Sequence, residues 1–467
     1  MGDIKIFQSS KDKEQWFEEL TDINFSIDEN NQEMQLVMVY SDIRYQKIKG
    51  FGGAFTQAAA FNYSAMNEEQ QKEFLRSYFS AAGLNYSFGR THINSCDFSF
   101  GNYAYCENED DLNLNSFSIN CEQDYLIPFI QAAKEYKEGK ITIIASPWSP
   151  PAWMKTNDSM LNGGKLKKEY YALWAEYYVK YIKEYKSKGI EIEMLTVQNE
   201  PLAVQNWESC IYTAEEEKIF LRDYLYPALV SSGLEDVKIL IWDHNKERLF
   251  ERARQILSDP ETNQKVYGLA FHWYSGDHFE NLSLCREFFP DKKLIFTEGC
   301  LELSSRDTSM AKKAEKVRAN SAGAADSPWE FGEYYAHDII GNFNSGLSVY
   351  LDWNLLLDER GGPNHAENFC SAPIIYDTQA EELRYQPAYC FIGHFSKYIA
   401  QGSRKIASSK YTADLEIATF ISPEDEKIIV VLNKQDEEIE FTLKDVETNR
   451  IADIKIKAKS IMTLIYS

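Results

Sequence analysis

EMLTVQNE, residues 193–200, is a short apolar run that ends on a polar tip, and its reading decides the fold because the pattern recurs. Seven further segments share it: GFGGAFT (50–56), YSFGRTHIN (86–94), ITIIASPW (141–148), VKILIWDHN (237–245), YGLAFHWY (267–274), KLIFTEG (293–299) and SVYLDWN (348–354). Helical periodicity fills several of the gaps, as in NEEQQKEFLRSYFSAAG, which stops on Gly83, and YYALWAEYYVKYIKEYKSKG, which stops on Gly189. Strands alternating with helices predict parallel strands joined by crossovers, and eight of them close a (β/α)8 TIM barrel.

Outside that region the pattern changes. From about residue 395, DLEIATFIS, EKIIVVLNK, EIEFTLK, IADIKIKA and SIMTLIY alternate with period two, which predicts an attached antiparallel β-sandwich. Residues 21–49, including MQLVMVY, alternate in the same way and are expected to complete it. The expected layout is therefore sandwich strands in 1–45, the barrel in 46–394 and the rest of the sandwich in 395–467. Residues 303–330 follow the seventh strand, are polar and rich in small side chains, and read either as a lid or as a solvated loop.

Lys plus Arg number 49 and Asp plus Glu 72, a formal charge of −23, which disfavours nucleic acid and anionic lipid as partners. No apolar run suggests a membrane span or a signal peptide, so a cytoplasmic location is expected. Eight scattered cysteines form no CxxC pair and have no histidine at zinc spacing; they read as free thiols, and neither a metal site nor a cofactor is expected. Aromatics make up 14% of the chain, enough to serve as core filler or as stacking platforms for flat ligands such as sugars. The sequence leaves the oligomeric state open.

Barrel chemistry sits where strands end, so the polar tips of the eight segments are the candidates. Glu200 closes the fourth segment inside QNEP, and Glu298 closes the seventh inside FTEG. Cleaving a glycosidic bond needs one carboxylic acid to protonate the leaving oxygen and one carboxylate to meet the charge growing at the anomeric carbon. A separation of roughly 5–5.5 Å lets the second attack directly with retention of configuration, and a wider gap admits water and inverts. Taken alone, either glutamate reads equally well as a satisfied buried acid.

The motifs narrow this choice. FGGAFTQAAA (51–60), SCDFSFGNYAY (95–105), ASPWSPPAWMKTN (145–157), QNEP (198–201), FHWY (271–274), FTEG (296–299), DWNLLLDERGGPN (352–364), SAPIIYD (371–377) and GHFSKYI (393–399) resemble, in order, glycoside hydrolase family 30, and within it the glucosylceramidase branch. The resemblance spans nearly the whole chain. It implies a retaining β-glucosidase with Glu200 as acid/base and Glu298 as nucleophile. It further implies that Asp97, as an ionised acceptor, and Trp148 hold sugar hydroxyls, that Trp353 walls the pocket and that Asn364 reaches the exocyclic hydroxymethyl. Arg90, Asn199, His272 and Tyr274 complete the surroundings, with Arg90 keeping the nucleophile ionised while Glu200 stays protonated near neutral pH. The expected substrate is a β-glucoside, either glucosylceramide or a gluco-oligosaccharide. A β-1,6-glucanase, a β-xylosidase or a carbohydrate-binding protein without turnover are the alternatives. The loop LAVQNWESCIY (202–212) carries Trp207, which reads either as an aglycone platform or as packing.

Overall fold

The computed structural model describes residues 3–13, 16–303 and 327–467. Most of the expected lid at 303–330 lies outside the described residues. Eight parallel strands close a barrel: β1 (Gly50–Phe55), β2 (Phe88–Ile93), β3 (Thr142–Pro147), β4 (Met194–Thr196), β5 (Lys238–Asn245), β6 (Val266–His272), β7 (Lys293–Glu298) and β8 (Leu347–Asp352). Closure is made by β8 against β1, where Tyr350 pairs with Phe51 and Asp352 with Gly53. Phe88, Ile144, Met194, Leu240, Ala270, Ile295, Val349 and Leu351, one or two from each of seven strands, fill one apolar cluster. The glycines of β1 have a steric cause, since a Cβ on Gly52 would lie 2.1 Å from the carbonyl oxygen of Phe88 on β2.

The second unit is a ten-stranded sheet built from both chain ends. Ile4–Ser10 pairs antiparallel with the final strand, Ser460–Tyr466, and Leu36–Lys47 lies between Arg404–Lys410 and Ile439–Asp445. The pairing with Ile439–Asp445 is parallel, so the sheet is mixed at that one point. KIIVVLN (Lys427–Asn433) shows how the two units are joined. Ile429 and Val431 enter the sandwich's own core, while Ile428, Val430 and Leu432 join the main core that the barrel helices share. A strand buried on both faces loses the polar half of its alternation, and here that second face cements sandwich to barrel.

A three-stranded sheet (Leu357–Asp358, Ile374–Asp377, Glu382–Tyr385) follows β8 and was not foreseen, because strands of two to four residues carry no measurable period. The helices at Glu68–Phe79 and Tyr171–Ser187 form where periodicity placed them. The first is closed by a capping box in which Asn67 accepts from the Gln70 amide and the Gln70 side chain returns to the Asn67 N–H.

Much of the aromatic surplus is core. Tyr177, Tyr178, Tyr181 and Tyr185 on the second helix are all fully buried. Tyr185 donates at 2.6 Å to Glu122, whose other oxygen accepts from Tyr105 at 2.6 Å and Tyr103 at 3.0 Å. Burial pushes this carboxyl up to about 7 against the pull of the three phenols. Because the folded value lies above that of the unfolded chain, the associated stability is complete below about 4.5 and lost as pH rises through about 7. Glu122→Gln is therefore expected to flatten the fall in melting temperature between those pH values, a contribution of up to about 3 kcal/mol. Thermal unfolding across pH 4–8 checks it; an unchanged slope would show that Glu122 ionises without cost.

Candidate active site

Glu298 is the last residue of β7 and Glu200 lies four residues beyond the end of β4, so the fourth strand stops earlier than its sequence suggests. The intervening turn is sewn to its neighbours. Asn199 N–H donates to Pro147 O at 2.9 Å, Glu200 N–H to Asp243 O at 2.9 Å, and Gln198 Nε2 to Trp148 O at 2.8 Å. Glu200 itself takes a left-handed backbone (φ 47°), as do the consecutive residues Trp242 (φ 77°) and Asp243 (φ 51°) at the end of β5. Such conformations cost about 1–3 kcal/mol each in non-glycine residues and persist only where the surroundings fix them. Here they turn the Glu200 and Asp243 carboxylates toward one centre.

Arg90, fully buried on β2, organises that centre. Its guanidinium donates to Glu298 Oε2 at 2.5 Å, Asp243 Oδ2 at 2.8 Å, Asn199 Oδ1 at 2.8 Å and Ser146 Oγ at 3.1 Å. Trp148 and Trp353 stack on each other at 5.3 Å, and the guanidinium carbon lies 4.9 and 5.6 Å from their ring centroids. Removing Arg90 from this cluster is expected to cost about 3–5 kcal/mol, because the buried Glu298 and Asp243 carboxylates would be stranded together. The second oxygen of Glu298 accepts from Tyr274 Oη at 2.9 Å. Burial, followed by Cys300 and Glu298, holds that phenol far above its usual range, so it remains a donor.

Asp243 is the hub behind the cleft. Besides Arg90 it accepts from Thr196 at 2.7 Å, Thr297 at 2.6 Å and His272 Nε2 at 3.1 Å. Burial alone would raise its carboxyl, but Arg90 and these donors hold it below the usual carboxylate range. His272 faces the other way through Nδ1, which lies 3.1 Å from Glu200 Oε1 and 4.0 Å from Glu298 Oε1. Glu200 Oε1 and Glu298 Oε1 are thus no more than about 7 Å apart. Burial lowers the His272 pKa, yet the surrounding carboxylates, Glu298 foremost, outweigh it and bring the imidazole to about 9.

Two protonation states differ from those expected. Burial pushes Glu200 up, but His244 first and then His272 outweigh it and hold the carboxyl below its ordinary range. A proton is therefore stored on the imidazole side of the pair. Asp97, expected to be ionised, is brought to about 8 by burial and by repulsion from Glu298, even though Asn364 and Asn368 donate to it at 3.3 and 3.2 Å. As a neutral acid it offers a sugar one donor and one acceptor.

Of the ten residues singled out in the sequence, Asp97, Trp148, Asn199, Glu200, Tyr274, Glu298 and Trp353 line one cleft, joined there by Trp207. Arg90 and His272 are fully buried and stand behind its wall. Asn364 does not border it. Its amide nitrogen donates to Asp97 and Asn368 O while its oxygen accepts from Ala366 and Asn368 N–H, so the side chain is spent on its own loop, and Asn368 takes the place at the cleft. Sequence reasoning missed Asp243 and His244, although both stand at the polar tip of VKILIWDHN. It also expected no cluster of metal-ligand type, whereas Glu200, His244 and His272 bring three donor atoms within 4.8 Å of one another.

Comparison with known proteins agrees with this geometry. Residues 48–399 match the glycosyl hydrolase family 30 TIM-barrel domain, and residues 402–464 match the glycosyl hydrolase family 30 beta sandwich domain. The chain is 35% identical over 423 residues to the lysosomal acid glucosylceramidase of Mus musculus, covering 88% of this chain and 79% of that one. Among solved structures, SrfJ from Salmonella typhimurium superposes with a TM-score of 0.91 at 38% identity over 99% of both chains. The endo-β1,6-glucanase BT3312 does so with a TM-score of 0.85 at 26% identity over the full length of each.

Proposed function

The chain belongs to glycosyl hydrolase family 30, and from that membership and its carboxylate pair we propose that it hydrolyses β-glucosides with retention of configuration. That it is a glycoside hydrolase, close to glucosylceramidases and related to endo-1,6-β-glucanases, follows from the family and its relatives. The finer reading rests on one observation: Glu200 and Glu298 meet across His272 with oxygens no more than about 7 Å apart. That bound is compatible with the roughly 5–5.5 Å of direct attack and supports retention over inversion.

In the proposed sequence Glu298, aimed by Arg90 and Tyr274, attacks the anomeric carbon as the glycosidic C–O bond breaks. Glu200, sharing a proton with His272, passes it to the leaving oxygen, and a covalent glycosyl ester forms on Glu298. Water then enters, gives a proton to Glu200 and attacks the anomeric carbon, which frees Glu298 and releases the sugar with its original configuration. Trp148 and Trp353 offer indole surfaces to the sugar's C–H faces, and Asp97 and Asn368 offer polar groups to its hydroxyls.

A glucosylceramidase-type β-glucosidase is the preferred assignment, supported by 35% identity to the mouse enzyme. The full-length superposition on an endo-β1,6-glucanase favours a β-1,6-glucanase as the second reading. Matched aryl β-glucoside, aryl β-xyloside, glucosylceramide and β-1,6-linked gluco-oligosaccharide separate these readings, with proton NMR following the first sugar released. Glucoside turnover giving the β-anomer first is expected. The α-anomer appearing first would overturn retention, and turnover confined to the β-1,6 oligosaccharide would select the second reading.

A further inference from the structure

Glu200 is met by two imidazoles. His272 Nδ1 and His244 Nδ1 lie 3.1 and 3.3 Å from the same oxygen, Oε1. The first contact is a hydrogen bond. The second is an ion-pair contact that falls outside well-aligned hydrogen-bond geometry. His244 Nδ1 thus stands against the Glu200 carboxylate at 3.3 Å, and both residues line the cleft, where a shared ligand can reach them.

The spacing suits one. Donors bound at about 2.0–2.1 Å to a tetrahedral metal stand roughly 3.3–3.4 Å apart; the two separations from Glu200 Oε1 fall within a few tenths of an ångström of that, and all three donor atoms lie within 4.8 Å of one another. The outer shell is present as well. Asp243 accepts from His272 Nε2 at 3.1 Å, the carboxylate–histidine arrangement that fixes the ring so that Nδ1 faces Glu200 and can exchange its proton for a metal. Glu200 and His244 line the cleft, which leaves a fourth position open to water. Two imidazoles and one carboxylate suit zinc, cobalt, nickel or copper, and suit magnesium or calcium poorly.

We propose that Glu200, His244 and His272 form a binding site for a borderline divalent transition metal of the zinc class, and that occupancy blocks hydrolysis by capturing the acid/base oxygen. The blocking half rests on the assignment of Glu200 above; the binding half does not. Metal coordination replaces the proton between Glu200 and His272, so the metal is an inhibitor and no participant in bond cleavage. Cys300 and Cys370 line the same cleft and are the competing soft ligands.

The test measures binding and hydrolysis separately on metal-free full-length protein. Zinc chloride titrated by calorimetry is expected to bind one ion per chain, and cobalt chloride to give the visible absorption of a four-coordinate site. Aryl β-glucoside hydrolysis is expected to fall in step with zinc occupancy and return with EDTA. His244→Gln should weaken zinc binding and inhibition together by at least about tenfold. Glu200→Gln, read by binding alone, should do the same to the affinity. Affinity unchanged in both variants, or inhibition lost in Cys300→Ser and kept in His244→Gln, overturns the site. Binding that follows these variants in a protein without glycosidase activity upholds the site and counts against the proposed function alone.

Discussion

Glu298→Ala is expected to lower turnover of an aryl β-glucoside by on the order of 10⁵-fold, the loss typical of removing a covalent nucleophile. The structure makes the deficit specific to chemistry rather than to folding. Glu298 gives up two contacts, from Arg90 and Tyr274, but Arg90 keeps Asp243, Asn199 and Ser146, so its charge stays compensated. The melting temperature should therefore move far less than the rate. Truncation also opens room beside the anomeric carbon on the face the carboxylate occupied. Added azide should enter there and, with an activated aryl glucoside, restore turnover through a single displacement to give the α-glycosyl azide. Turnover surviving the substitution, or rescue yielding the β-azide, would mean that Glu298 is not the nucleophile. Glu298→Gln, which keeps the side-chain volume, separates loss of the carboxylate from loss of packing; it should be equally inactive and should not respond to azide.

The barrel was legible because each strand is an apolar run closed by a polar tip, and the tip residues are what the cleft collects. What stayed illegible has two physical sources. Asp243 is one of 72 acidic residues and owes its role to Arg90, Thr196, Thr297 and His272, partners drawn from four different strands or their ends. No local pattern encodes such a convergence. His244 is similar, since only the left-handed turn at Trp242–Asp243 decides which way it faces. The second source is competition for a polar side chain. Asn364 has the residue type a sugar hydroxyl needs, but the backbone of its own loop claims the amide first. The protonation states follow the same rule. The acid role implies a proton on Glu200, and only the three-dimensional arrangement of His244 and His272 pulls its pKa the other way.

Glu200→Ala should give the complementary result, and the comparison assigns the two roles. Glycosylation needs an acid only in proportion to how poor the leaving group is, whereas deglycosylation needs the base for every substrate. With an alkyl β-glucoside both steps suffer, and kcat/KM is expected to fall by roughly 10²–10⁴-fold, the usual range for general acid catalysis. With a dinitrophenyl β-glucoside the first step is nearly spared while the second stalls. The glycosyl-enzyme then accumulates, giving a burst equal to the enzyme concentration followed by a slow steady state, with kcat and KM falling together. Azide admitted into the space left by Glu200 attacks the glycosyl-enzyme from the opposite face to Glu298, so the product should be the β-glycosyl azide. Opposite anomers from the two variants fix which carboxylate touches the anomeric carbon and which handles protons, a distinction that the distances at His272 do not make, because that imidazole lies within 4.0 Å of both. If the dinitrophenyl and alkyl substrates lost activity equally, or if both variants gave the same azide, Glu200 would be a binding group and the proton donor would have to be sought elsewhere along the cleft.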